Sequence, residues 1–142
     1  MNQLKIAEER MAAAAGLSDV LAAAYAAFMT MLPVIEDQQD AGGPQFDMFV
    51  MAGAMAAPAR LVLLAAPSLP SASRSAAFAV TGPCAASAAE LAAGLARLCE
   101  AVARRLYDTA LTNAGAADRH ACSKASHHAR ELSEWFSGKP AP

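Results

Sequence analysis

The stretch QLKIAEERMAAAAGLSDVLAAAYAAFMTML, residues 3–32, sets the expectation for the fold. One set of its residues recurs at alternating steps of three and four, which places the set on one side of an α-helix. The set is Leu4, Ala7, Met11, Ala14, Ser18, Leu21, Tyr25, Phe28 and Leu32. We therefore predict a first long helix over 3–32. Gly16 weakens its middle and favours a bend, and Pro33 ends it because the residue before a proline disfavours helical torsions.

The composition supports helix along the whole chain. Of the 142 residues, 39 are alanine, the strongest helix former because ordering its side chain costs no entropy. Residues that favour strands are few and scattered. A chain of this length is the usual size of one domain. We expect a single all-α domain over residues 1–142.

The segment EDQQDAGGP, residues 36–44, combines carboxylates with two glycines and a proline, and we predict a loop there. A second long helix is predicted over 45–66. It is apolar on nearly all sides, which is typical of a central helix, and Pro58 is expected to kink it. One predicted face contains Phe46, Phe49, Val50, Gly53, Ala57, Leu61 and Leu64.

Two more long helices complete the predicted fold, at 84–113 and 118–136. The first starts near Pro83 with Thr81 as its cap, or at Ser87, where Glu90 gives capping-box spacing. Asp118 is the expected cap of the second. The segment 73–80 could add one short helix. The fold class is therefore an all-α, antiparallel bundle of four long helices, with or without a short fifth.

Charge and cysteine usage limit the possible partners and compartment. The formal net charge is −2, without the basic excess of nucleic-acid-binding surfaces. Three cysteines without a CxxC pair, and an N-terminus with charges where a signal peptide needs an apolar core, favour a cytoplasmic protein. Two segments, 11–35 and 49–66, approach a spanning length with one charge each. Asp19 and Arg60 are costly in lipid, so we do not expect a membrane protein.

The C-terminal helix carries a group of candidate metal ligands, namely His120, His127, His128 and Glu131. Two ligands on one helix meet one ion when they lie three or four residues apart. His127 and His128 each satisfy that spacing only with Glu131, so a site would need ligands from another helix. We therefore expect a solvated polar face and no bound metal or other cofactor.

A second set of candidates lies on the predicted helix at 45–66. Met48, Met51 and Met55 share one face there, and thioethers either fill a core or form an adaptable binding surface. Arg60 beside this apolar run must reach an anion or solvent. Cys84, near a helix start, is the thiol most open to a lowered pKa. No catalytic motif is present.

These observations favour a non-enzymatic interaction protein that associates with itself or with another protein through leftover apolar faces. The alternative is a helical bundle that binds a small molecule or a metal through the methionine face, Arg60 and the terminal histidines.

Overall fold

In a computed structural model, residues 2–75, 86–112 and 115–138 form six α-helices and no strand. The helices are α1 (Gln3–Ala13), α2 (Leu17–Ala41), α3 (Phe46–Leu64), α4 (Ser71–Ser75), α5 (Ala88–Thr112) and α6 (Ala116–Ser137). The all-α prediction is confirmed. Among the described helices, α2, α3, α5 and α6 are long, and α1 and α4 are shorter.

The four long helices form a closed ring in which α2 packs on α3, α3 on α6, α6 on α5 and α5 on α2. Hydrogen bonds show the directions of the chains. Ser126 Oγ donates to the Ala103 carbonyl and Ser133 Oγ to the Ala96 carbonyl, so α5 and α6 are antiparallel. The Gln39 amide donates to the Phe49 carbonyl near the α2–α3 turn. Antiparallel neighbours are what short connections between helices produce.

Helix α1 departs from the predicted antiparallel scheme because it runs parallel to α5. Leu4 packs over Gly94 at one end, and the Arg105 guanidinium donates to the Ala14 carbonyl at the other. A side chain larger than hydrogen at position 94 would meet Leu4 at 3.2 Å. Gly94 therefore permits the close approach of α1.

Large apolar side chains from five helices fill the core, and alanines line the contacts between them. The largest fully buried side chains are Phe28, Phe49, Met11, Leu21, Met31, Ile35, Leu63, Leu95, Leu98, Leu106, Leu132 and Val20. Because alanine is small, the helix backbones approach closely while these residues supply most of the burial.

Three boundary predictions in the N-terminal half are wrong. The helix predicted over 3–32 is broken, since Gly16 adopts a φ of 83° between α1 and α2. Pro33 does not end α2, which continues to Ala41 because Ile35 is buried and Gln39 bonds to α3. The predicted loop 36–44 is accordingly helical as far as Ala41, which leaves a short turn before α3.

The remaining boundaries agree better. Helix α3 matches the prediction over 45–66 and continues through Pro58. Helix α5 begins at the capping box, where the Ser87 hydroxyl accepts from the Glu90 amide. The predicted alternative start at residues 81–84 lies outside the described residues, as does most of the short helix predicted at 73–80, of which α4 covers Ser73–Ser75.

Asp118 is not the cap of α6, because the helix starts at Ala116 after Gly115. The buried Asp118 carboxylate instead accepts hydrogen bonds from the Ser68 amide, at 3.0 Å, and from the Ser68 hydroxyl, at 2.6 Å. The Ser68 carbonyl accepts from Ser18 Oγ. Ser68 thus ties the segment after α3 to both α2 and α6.

Candidate interaction surface

The outward side of α3 is the most unusual surface in the described part of the chain. The buried residues of this helix are Phe49, Ala52, Ala56, Ala59 and Leu63, and they contact α2 and α6. The opposite side is exposed at steps of three and four residues. We call it the α3 stripe, and it comprises Asp47, Val50, Met51, Ala54, Ala57, Pro58 and Leu61.

The α3 stripe exposes large apolar side chains without charged residues between them. Leu61 is 58% exposed, Met51 49% and Val50 39%, and Phe46 beside them is 43% exposed. Asp47 is the only charged member and stands at the first turn. On α5, by contrast, Arg97, Glu100 and Arg104 occupy the exposed positions. Solvent-facing helix sides in globular proteins normally carry charged and polar residues in this way.

The predicted central position of this helix is therefore wrong. The residues predicted to share one face include Phe46, Phe49, Val50 and Leu61, and of these four only Phe49 is buried. Periodicity does not identify the inward side of a helix that is apolar all round. The sequence signal of this exposed side is that the helix lacks a polar face. A helix with two neighbours buries only part of its surface, so part of an all-apolar helix stays exposed.

The three methionines of the predicted site occupy different environments on one flank of α3. Met48 and Met55 are half-buried against the core, and Met51 is exposed on the stripe. The Met48 carbonyl accepts a hydrogen bond of 2.9 Å from the indole of Trp135 on α6. Arg60 is half-buried on the other flank. The structure therefore does not bring the predicted site together: Met48 lies towards α6 and also lines a groove between α5 and α6, and Arg60 lies apart from it.

A shallow depression of about 420 Å³ continues the stripe towards α6. Leu61, Val62 and Ala65 of α3 form one side, and Ala117, His120, Ala121 and Lys124 of α6 form the other. The floor is apolar, and the imidazole of His120 and the ammonium of Lys124 stand at the rim. The described residues provide no ion pair or hydrogen bond for the side chains of Asp47, His120 and Lys124. The apolar surface is thus bordered by polar side chains that have no partner among the described residues.

The candidate metal ligands of α6 do not converge. His127 Nε2 lies 2.6 Å from Glu131 Oε1 in an exposed pair, and the His127 and His128 rings are 6.3 Å apart. His120 lies apart from them, at the depression. Within residues 2–75, 86–112 and 115–138, no three histidine, cysteine or carboxylate side chains come together as metal ligands.

The described thiols are poor nucleophiles. Cys99 and Cys122 are free and fully buried. Burial raises the pKa of Cys99 far above its usual range and, with a contribution from the Asp118 charge, raises the pKa of Cys122 to about 11. Both thiols remain protonated near neutral pH. Cys84, the predicted reactive thiol, lies outside the described residues.

A second surface feature is a groove of about 850 Å³ between α5 and α6. Buried alanines form its floor, including Ala92, Ala96 and Ala103. Charges of both signs surround it, among them the exposed ion pair between Glu100 and Arg104. Such an exposed pair contributes little binding or stability. The groove therefore combines apolar side chains with charges of both signs, in contrast with the uncharged run of the α3 stripe.

Two helices, α2 and α3, are long and apolar enough to cross a membrane by length and composition. The bundle buries 61% of the apolar window of α2, as expected of a core helix, but only 28% of that of α3.

Comparisons with protein-family models, curated proteins and solved structures find no match for this chain.

Proposed function

We propose that this protein is a non-enzymatic interaction module that associates with a second copy of itself through the α3 stripe. The observation that carries the proposal is an outward helix side from Val50 to Leu61 that has no charged side chain. A contiguous exposed apolar patch of a few hundred Å² is often functional in globular proteins. The two described thiols are buried and protonated, and like the dispersed histidines they give no support to a catalytic role.

The size of the stripe predicts how tight the association is. A helix of 19 residues is about 28 Å long, and a contact band about 10 Å wide gives roughly 300 Å² per copy. Standard stable interfaces bury about 800 Å² per partner. The stripe alone therefore supports a weak complex, and a specific one needs additional contact from the flanks of α3. We expect a concentration-dependent dimer with a dissociation constant in the micromolar range.

Sedimentation equilibrium over a series of protein concentrations tests the proposal. We expect a shift from monomer to dimer in the wild type and a monomer at all concentrations for Leu61→Glu, because the interface would bury an unpaired carboxylate. Leu111→Glu is the matched control, since Leu111 on α5 is 68% exposed and lies outside the stripe. It should dimerise like the wild type.

Circular dichroism of both variants would show that the fold is intact. A wild-type protein that remains monomeric at every concentration would refute self-association. Equal weakening by Leu61→Glu and Leu111→Glu would refute the assignment of the surface. Cosedimentation of a monomeric wild type with phosphatidylcholine–phosphatidylglycerol vesicles would show that the stripe serves a lipid surface instead.

A further inference from the structure

We propose that the two copies pack α3 against α3 in antiparallel fashion about a two-fold axis at Ala54, so that Asp47 of each copy pairs with Lys124 and His120 of the other. This inference rests on the proposed function. It adds the direction, the centre and the polar contacts of the interface. Three observations support it, namely the position of Ala54, the unpartnered charges and the area that the dimer needs.

Ala54 is the midpoint of the α3 stripe. Seven residues separate it from Asp47 in one direction and from Leu61 in the other. A homodimer normally has two-fold symmetry, in which the same surface contacts itself. Antiparallel packing about Ala54 therefore places Asp47 of one copy opposite Leu61 of the second. The small side chain at the centre lets the two helices approach closely.

The charges beside the stripe are complementary in this arrangement. Leu61 forms the depression together with His120 and Lys124, so these two residues flank the position that Asp47 of the second copy occupies. A two-fold axis perpendicular to the helices brings the α6 sides of both copies together. Successive helical residues differ by about 100° around the helix axis, and this places Asp47 on the side of the stripe that lies towards α6. Two opposite-charge contacts arise, one on each side of the axis.

Parallel packing lacks this complementarity. It would place Asp47 next to Asp47 of the second copy and would leave Lys124 and His120 without an anion. Like charges at an interface disfavour an arrangement even where the apolar contacts are equal. The charges therefore select direction, while the apolar stripe supplies most of the attraction.

The required area points to the same flanks. The stripe provides roughly 300 Å² per copy, estimated from its length, which is well below the standard interface. In the antiparallel dimer, the first turn of α3 in each copy covers the depression of the other copy. The interface area therefore includes the His120 and Lys124 side of α6 from both copies. Trp135 lies at the Met48 end of the same flank and is 39% exposed. It is the single tryptophan of the chain, so its fluorescence reports on this contact.

A charge exchange tests the inference. Asp47→Lys and Lys124→Asp should each weaken dimerisation by about tenfold, because each turns two attractive rim contacts into repulsive ones. The double variant should recover most of the wild-type affinity. Asp108→Lys, an exposed carboxylate on α5, is the matched control and should not change it. Sedimentation equilibrium and Trp135 emission provide the readouts.

Zero-length crosslinking provides a second test that needs no variant. A carbodiimide joins a carboxylate and an amine as an amide and takes up the water that is lost. Within one copy, Asp47 is about 21 Å along α3 from Leu61, the residue beside which Lys124 lies, at 1.5 Å per residue, so a crosslink between Asp47 and Lys124 reports a contact between copies. We expect this crosslinked peptide in the dimer band.

The two proposals fail in different ways. A monomeric wild type refutes the self-association itself. A second outcome would retain the proposed function and refute the antiparallel arrangement. In that outcome Leu61→Glu disrupts the dimer, but the double charge exchange does not restore the affinity and no crosslink joins residues 47 and 124.

Discussion

Replacement of Asp118 tests the most specific polar contact in the bundle. Its buried carboxylate accepts two hydrogen bonds from Ser68, from the amide at 3.0 Å and from the hydroxyl at 2.6 Å. In Asp118→Ala both donors lose their acceptor. The contact holds the segment between α3 and α4 against α6, so its loss should release that segment before the bundle unfolds.

The magnitude follows from the two bonds. Hydrogen bonds to a charged group contribute about 1.5–3 kcal/mol each, and Ser68 is only half-buried, so water compensates part of the loss. We expect Asp118→Ala to lower the free energy of unfolding by about 2–4 kcal/mol. In a domain of this size that corresponds to a decrease in melting temperature of about 4–16 °C. Asp118→Asn should cost less, because its amide oxygen still accepts from the Ser68 amide.

Urea denaturation of Asp118→Ala, Ser68→Ala and the double variant forms the assay. The coupling energy from this cycle should be about 1–2 kcal/mol, because Ser68→Ala removes only the hydroxyl donor. Cys122 gives a second readout, since the Asp118 charge contributes to its raised pKa. Faster alkylation of Cys122 should accompany the variant. Additive effects of the two substitutions, or a loss below about 0.5 kcal/mol for Asp118→Ala, would show that the contact does not hold the segment.

Two further predictions concern single buried groups. Because the folded pKa of Cys122 is raised from 9.0 to about 11, the unfolded state releases its proton first. Cys122 should lower the stability by at most about 3 kcal/mol between about pH 9 and pH 11, in addition to the loss that the raised pKa of Cys99 causes. Cys122→Ala should therefore reduce the slope in urea titrations across this range without abolishing it, and an unchanged slope would contradict the assignment. Gln45→Met should raise the free energy of unfolding by about 1 kcal/mol, because the buried Oε1 of Gln45 accepts no hydrogen bond from the described residues. A loss of stability in thermal denaturation would indicate that this oxygen is satisfied in solution.

The sequence predicts the class of fold because helix propensity and periodicity are local properties. Alanine and the spacing of three and four residues suffice to predict the long helices. They do not predict the break at Gly16 or the continuation of α2 past Pro33, since these depend on contacts with other helices. Ile35 and Gln39 hold the last turns of α2 against α3, and packing of this kind overrides a local stop signal.

The candidate surface was accessible to sequence reasoning only in part. The sequence identifies α3 as apolar on every side, but that pattern is also typical of a central helix. Which side is outward depends on how many neighbours α3 has, and only the packed structure shows that α2 and α6 are its main contacts. The roles proposed for Asp47, His120 and Lys124 depend on the same packing, because these residues lie on helices far apart in sequence.

A comparison of α3 with α5 shows that folding requires an apolar inner side of each helix but does not determine the polarity of the outer side. Both helices lie in the same ring and bury one side. Helix α5 exposes Arg97, Glu100 and Arg104, whereas α3 exposes Val50, Met51 and Leu61. Burial of Phe49 and Leu63 would be equally complete with charged residues on the outside of α3, so the stability of the monomer does not account for an apolar exterior. The proposed self-association would cover this surface, which the fold itself does not require.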